Sequence, residues 1–134
     1  MRKCIAQMSP SDSFRVIKFS NEASELSDKP LTYSVENIKR ALTYIDAMRG
    51  EGGTEMLSGI RSALDYPADP ERVRIVTFMT DGYIGNETQI LAEIQKKLGG
   101  ARLFSFGVGS SINRYLLDRM AEVGRGVAQY ARPN

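Results

Sequence analysis

The sequence predicts an α/β domain with a doubly wound, mostly parallel sheet and helices on both faces. Three observations predict it. Short β-rich runs alternate with amphipathic helical stretches, the pattern that right-handed strand–helix–strand crossovers generate. The run at 73–80 contains Ile75-Val76-Thr77-Phe78-Met79, apolar on both faces, as in a strand covered from each side. The 134 residues, set against roughly 150 per domain, leave room for one domain spanning 1–134 and no second.

Each element follows in order. Residues 1–8 have the look of a helix end, with Cys4, Ile5 and Met8 on one face and Ser9-Pro10 closing it. Positions 14–19, Phe-Arg-Val-Ile-Lys-Phe, form a short β-rich run, and a polar stretch from 20 to 30 holds a short edge strand at 23–26. Over 34–49, Ile38, Ala41, Leu42, Ile45 and Met48 step by three and four, the stripe of an amphipathic helix. Gly50-Glu51-Gly52-Gly53-Thr54 interrupts it, and Met56, Ile60, Ala63 and Leu64 mark a second helix that Tyr66-Pro67 ends. After the strand at 73–80, Asn86-Glu87-Thr88-Gln89 predicts a capping box opening a helix to 98, which Gly99-Gly100 stops. A strand at 103–108, a helix at 112–123 and a last strand at 126–130 complete the pattern.

Composition narrows the chemistry. With no histidine, the commonest general acid/base and zinc ligand is absent. The lone Cys4 excludes an intrachain disulfide and multi-cysteine metal knuckles. Eighteen Lys and Arg against sixteen Asp and Glu leave +2, too balanced for nucleic-acid binding by bulk charge. No window approaches eighteen apolar residues, so no membrane insertion is expected, and the start is too short in apolar residues for a signal peptide.

In open α/β sheets, ligands gather beyond the carboxyl ends of the strands. Asp81-Gly82 follows the buried strand, Thr54 follows Gly52-Gly53 and precedes a helix, and Ser20-Asn21 and Gly109-Ser110-Ser111 follow two other strands. Each has a plain structural explanation alone: Asp-Gly as a turn and Thr as a helix cap. Gly50 to Thr54 lacks the Lys-Ser/Thr pair of a phosphate loop.

Together these signals say more. Gly52-Gly53-Thr54-Glu55-Met56, Ile75-Val76-Thr77-Phe78-Met79-Thr80-Asp81-Gly82 and Phe104-Ser105-Phe106-Gly107-Val108-Gly109 resemble, in order and spacing, the von Willebrand factor type A domain. The stretches through Asn86-Glu87 and from Phe106 through Gly124-Arg125-Gly126 are similar to the subgroup found in inter-alpha-trypsin inhibitor heavy chains and their bacterial relatives. The resemblance covers essentially the whole chain. It implies a non-enzymatic, adhesion-type module that grips a protein or extracellular-matrix partner, through the partner's carboxylate, at a metal-ion-dependent adhesion site. The metal there would be Mg²⁺ or another divalent cation. An extracytoplasmic, secreted or cell-surface setting is implied too.

Carried over by position, Thr54 matches the family's threonine ligand and Asp81 its aspartate, with Asn21, Gly53, Gly82 and Ser110 on the partner-binding rim. The Asp-x-Ser-x-Ser ligand motif is absent. In the family it precedes the helix whose tail matches residues 1–8, so the first, central strand and the closing C-terminal helix are expected to be missing as well. Ser9-Pro10-Ser11-Asp12-Ser13 is an imitation placed after that helix. Mg²⁺ takes about six hard oxygens, so Thr54 and Asp81 alone are not expected to hold it tightly. Without the central strand, edges at 14–19 and 73–80 are exposed, which predicts rearrangement or a homodimer. Two alternatives stand beside this one: a structural or assembly domain with no working metal site, and an Asp-dependent enzyme like the haloacid-dehalogenase-like phosphatases. The second needs another Asp two residues after Asp81, where the chain has Tyr83.

Overall fold

A computed structural model describes residues 7–19, 23–48, 56–67, 69–80 and 85–131. In chain order these form β1 (Ser13–Phe14), β2 (Ile17–Phe19), β3 (Ala23–Glu25), β4 (Leu31–Thr32), α1 (Val35–Asp46) and α2 (Met56–Asp65). Then follow β5 (Ile75–Thr80), α3 (Glu87–Lys97), β6 (Arg102–Val108), α4 (Arg114–Val123) and β7 (Ala128–Ala131). The helix end read over 1–8 lies, for residues 1–6, outside the described residues.

The parallel sheet has the order β5-β6-β7. Its two crossovers carry α3 and α4, as the alternating pattern predicts. Fully buried Ile90 and Ile94, with Leu98, form the inner stripe of α3 at i, i+4, i+8, and Met56, Ile60 and Leu64 form that of α2. With Leu116, Leu117 and Met120 of α4 and Leu103 of β6 they make one core. Gly99, at φ 56°, ends the last turn of α3 where an L side chain would be strained. Lys97 ties α3 to α2, with its Nζ 2.5 Å from Asp65 Oδ1 and 3.4 Å from Glu93 Oε2.

The N-terminal third is antiparallel. The β-rich run at 14–19 divides: β1 pairs with β4 (Ser13↔Thr32), and β2 pairs with β3 (Ile17↔Glu25, Phe19↔Ala23). The break falls at Arg15 and Val16. Arg15 turns to an ion pair with Glu25 at 2.7 Å, donates to the Ser62 carbonyl at 3.0 Å, and lies 4.7 Å over the Tyr66 ring. Val16 packs instead with Ala41 of α1, joined by Phe14, Leu26, Ile38 and Ile45 in a second cluster. Ser34 caps α1, its Oγ accepting from the Asn37 N–H at 3.1 Å, a contact typically worth about 1 kcal/mol.

Two expectations are corrected. The 73–80 run is not covered on both faces. The ladder starts at Ile75, which is 61% exposed, and Thr77 is exposed too, while Phe78 is buried. Composition shows that a face is apolar; it does not show whether another element lies on it. The capping box at Asn86 also fails to form. Asn86 sits at φ −88°, ψ 56° and its side chain makes no cap hydrogen bond.

No ladder joins β2 to β5 among the described residues. Arg72 Nη1 donates to Ser13 Oγ at 3.2 Å, and the rings of Phe19 and Phe78 stack with centroids 4.9 Å apart. Both contacts pair residues with the same sequence offset, so the β1–β2 segment and β5 run side by side in the same direction. The gap between them lies where the sequence reading expected a central strand to be missing.

Candidate functional site

The parallel ladders put the carboxyl ends of three strands in one row: Thr80 of β5 pairs with Gly107 of β6, and Gly107 pairs with Tyr130 of β7. A Cβ on Gly107 would meet Ile112 Cδ1 at 2.5 Å, Leu117 Cδ1 at 2.9 Å and Tyr130 Cδ1 at 3.1 Å, so a side chain there fits only if these side-chain ends shift.

Among the residues singled out in the sequence, Ser110 is exposed in the loop after β6, beside Gly109. Gly109 adopts φ 102° and donates its N–H to the Ala131 carbonyl at 3.1 Å. Thr54, Asp81, Asn21, Gly53 and Gly82 lie outside the described residues. Their chain neighbours are described. Thr80, immediately before Asp81, ends β5, and Met56, two residues after Thr54, opens α2 with its side chain fully buried.

The imitation motif sits at the other end. Ser9 N–H donates to Asp12 Oδ2 at 2.9 Å, Asp12 N–H to the Ser9 carbonyl at 3.0 Å, and the hydroxyls of Ser9 and Ser11 are 2.9 Å apart. This closed turn precedes β1. Because β1–β2 runs with β5, the turn lies at the amino end of the strands, away from the rim. Its oxygens satisfy a local turn.

Two rim features were not singled out from sequence. Asn113 is buried at the start of α4, where its Oδ1 accepts from the Leu116 N–H at 3.1 Å and its Nδ2 donates to Glu87 Oε1 at 2.5 Å. It caps α4 while tying that helix to the first turn of the preceding helix, α3. The signal was present, an Asn directly before an amphipathic helix. Tyr130 donates its hydroxyl to the Asp118 carboxylate and lies 3.1 Å from the Arg114 carbonyl, with the Arg114 guanidinium 4.4 Å over its ring. Burial first, then the hydrogen bond to Asp118 and its negative charge, push the Tyr130 phenol up to about 12, against an opposing effect of Arg114. Tyr130 therefore stays neutral, a donor that joins β7 to α4.

Among the described residues no group of three or more His, Cys, Asp or Glu side chains could hold a metal ion. The candidate donors in this sequence, Thr54 and Asp81, supply one hydroxyl and one carboxylate, too few to set an octahedral shell.

Comparison with known proteins follows the same lines. A von Willebrand factor A domain-containing protein of Dictyostelium discoideum is 27% identical over 124 residues, covering 92% of this chain and 13% of that protein. The inter alpha-trypsin inhibitor, heavy chain 4 of Mus musculus is 29% identical over 140 residues, covering 95% of this chain and 15% of its own length. The chain thus spans less than a sixth of either relative.

Among solved structures, a von Willebrand factor type A protein from Catenulispora acidiphila superposes with a TM-score of 0.83 at 18% identity. That match covers 96% of this chain and 32% of the other. Proximal thread matrix protein 1 from the mussel byssus, solved with a zinc-occupied MIDAS motif, gives 0.72 at 19% identity over 97% of this chain and 34% of its own. The family model for the von Willebrand factor type A domain matches residues 1–130. With the parallel β5-β6-β7 sheet and its rim, this shows that the chain belongs to the von Willebrand factor type A domain family.

Proposed function

We propose that this chain is a non-enzymatic, adhesion-type protein-binding module that meets its partner at the rim formed by the carboxyl ends of β5 and β6. The observation that carries the reading is the position of Thr54 and Asp81 in the family's motif, two residues before α2 and directly after β5 in the sequence. In a complete site those two oxygens would join an Asp-x-Ser-x-Ser segment around Mg²⁺ or a related divalent cation, and a partner carboxylate would complete the shell. Asn21, Gly53, Gly82 and Ser110 would border the contact. The partner would be a protein or matrix component. The likeness to an inter-alpha-trypsin inhibitor heavy chain favours an extracytoplasmic setting.

The test is a calorimetric Mg²⁺ titration of the 134-residue chain beside a longer form carrying an Asp-x-Ser-x-Ser segment. The longer form should bind Mg²⁺ and capture a Glu-containing peptide only in its presence, and Asp81→Ala should abolish both. The chain alone should bind Mg²⁺ weakly. Peptide capture unchanged by chelator or by Asp81→Ala would sink the metal-mediated reading and favour the structural one.

A further inference from the structure

Arg114 opens α4 on the β7 side of the rim, exposed, with its guanidinium 4.4 Å over the Tyr130 ring. That ring is itself held, through its hydroxyl, by Asp118 and the Arg114 carbonyl. The cation is therefore fixed in place, which lowers the entropy lost when a partner group meets it.

No carboxylate answers this charge among the described residues. Asp118 follows four positions on, the spacing at which an acid on a helix pairs with an arginine. It accepts from the Tyr130 hydroxyl instead and forms no ion pair with Arg114. Glu87 of α3 accepts from Asn113. The stretch 94–117 contains no Asp or Glu, so the whole β6–α4 connection is free of acid. Helix stability does not account for the charge either. A cation in a first turn opposes the helix dipole, and Asn113 already caps that end.

The surroundings suit a contact surface. Tyr115 is 60% exposed, and Ser110 and Ser111 are exposed in the loop before α4. Tyrosine and arginine are the side chains that most often anchor protein interfaces. Because Thr80, Gly107 and Tyr130 pair in one row, the β7 end, where Arg114 stands, is two strand spacings from the end of β5, about 10 Å.

We propose that Arg114 determines which partner the rim accepts, by pairing with an acidic side chain of the partner. That acid is a second one, beyond the carboxylate received at the end of β5, so the partner presents two acids on one side. The inference rests on the reading that a protein partner docks at this rim. A charge at the edge of an interface acts mainly on selection and association rate, and a like charge there rejects the wrong partner.

The probes are two labelled peptides, Glu-Pro-Pro-Glu-Pro-Pro-Glu and Glu-Pro-Pro-Lys-Pro-Pro-Lys. Polyproline geometry sets every third side chain on one side, so the variable positions lie about 9 and 19 Å from the first Glu. Fluorescence anisotropy on the longer form carrying an Asp-x-Ser-x-Ser segment, in Mg²⁺, should show at least about tenfold tighter binding of the Glu peptide. Arg114→Glu should invert that preference, and Arg114→Gln should bring the two peptides within about threefold of each other. A merely structural role for Arg114 would weaken both peptides alike. Chelator separates this inference from the reading beneath it. A preference that Arg114→Glu inverts even in chelator supports the role of Arg114 and sinks the metal-mediated contact. Chelator-sensitive binding whose preference neither Arg114 variant moves overturns the role of Arg114 and keeps the metal. Absence of saturable binding by either peptide overturns it as well.

Discussion

The rings of Phe19 and Phe78 stack at 4.9 Å, inclined 22°, although no ladder joins the strands that carry them among the described residues. Phe19 ends β2 in an antiparallel hairpin; Phe78 lies in the middle of β5 in the parallel sheet. Gly59 of α2 packs beneath, where a Cβ would come within 3.2 Å of the Phe19 ring. The two strand systems are therefore joined here through side chains and one helix.

Phe78→Ala should destabilise the chain by about 3–4 kcal/mol, because Phe78 is only 6% exposed and its removal opens a cavity in the main core. Phe19 is half-buried, so Phe19→Ala should cost less. A double-mutant cycle in urea should give about 1 kcal/mol of coupling between the rings. Strict additivity would show that hairpin and sheet are joined by α2 alone.

The Gly124-Arg125-Gly126 turn after α4 should tolerate almost nothing. A Cβ on Gly126 would lie 2.0 Å from the Leu103 carbonyl oxygen, and one on Gly124 would lie 2.5 Å from Leu103 Cβ. Both are contacts with β6, the middle strand of the β5-β6-β7 sheet, which cannot retreat. Gly126→Ala should therefore cost more than about 3 kcal/mol. Gly99→Ala meets no atom within 4 Å and carries only the strain of φ 56°, about 1–2 kcal/mol. Thermal midpoints of the two variants should fall in that order.

What was legible in the sequence follows from the range of each signal. Ile90, Ile94 and Leu98 recur at helical spacing, and that local pattern suffices to place α3 and its buried face. β4 went unseen because Leu31–Thr32 is two residues long and pairs with Ser13–Phe14, well beyond any local window. The exposure of Ile75 was hidden for a similar reason, since apolar composition says nothing about what covers a face. At the site, the rule that ligands gather beyond strand ends picked out Thr54 and Asp81 as polar positions, but their reading as ligands came only through family likeness. Asn113 joins Glu87 across twenty-six residues, a link that no local window contains.

Asn113→Ala should remove the α4 cap and release Glu87 together, for a loss of about 1–2 kcal/mol. Asn113→Asp keeps the oxygen that accepts from Leu116 but sets a second carboxylate against Glu87. It should be near neutral at acid pH and destabilising at neutral pH. Urea midpoints at the two pH values separate capping from the cross-helix bond. Equal losses for both variants at both pH values would show that the Glu87 contact contributes nothing.

Tyr130 sets the alkaline limit at the β7 end of the rim. Its phenol is raised from 10.0 to about 12 in the fold, chiefly by burial and then by Asp118. A folded value above the unfolded one means that the neutral form is favoured in the native state. That stabilisation is complete below pH 10, and it is lost as pH rises from the unfolded value through about 12. Tyr130→Phe removes the titration along with the bonds to Asp118 and Arg114, so the variant should be less stable at neutral pH and lose less between pH 10 and 12. Asp118→Asn should lower the Tyr130 value by removing the adjacent negative charge. Tyrosinate absorbance followed against pH should show a late step from Tyr130 in the native chain that comes earlier in Asp118→Asn. An unchanged late step in Asp118→Asn would assign the whole shift to burial.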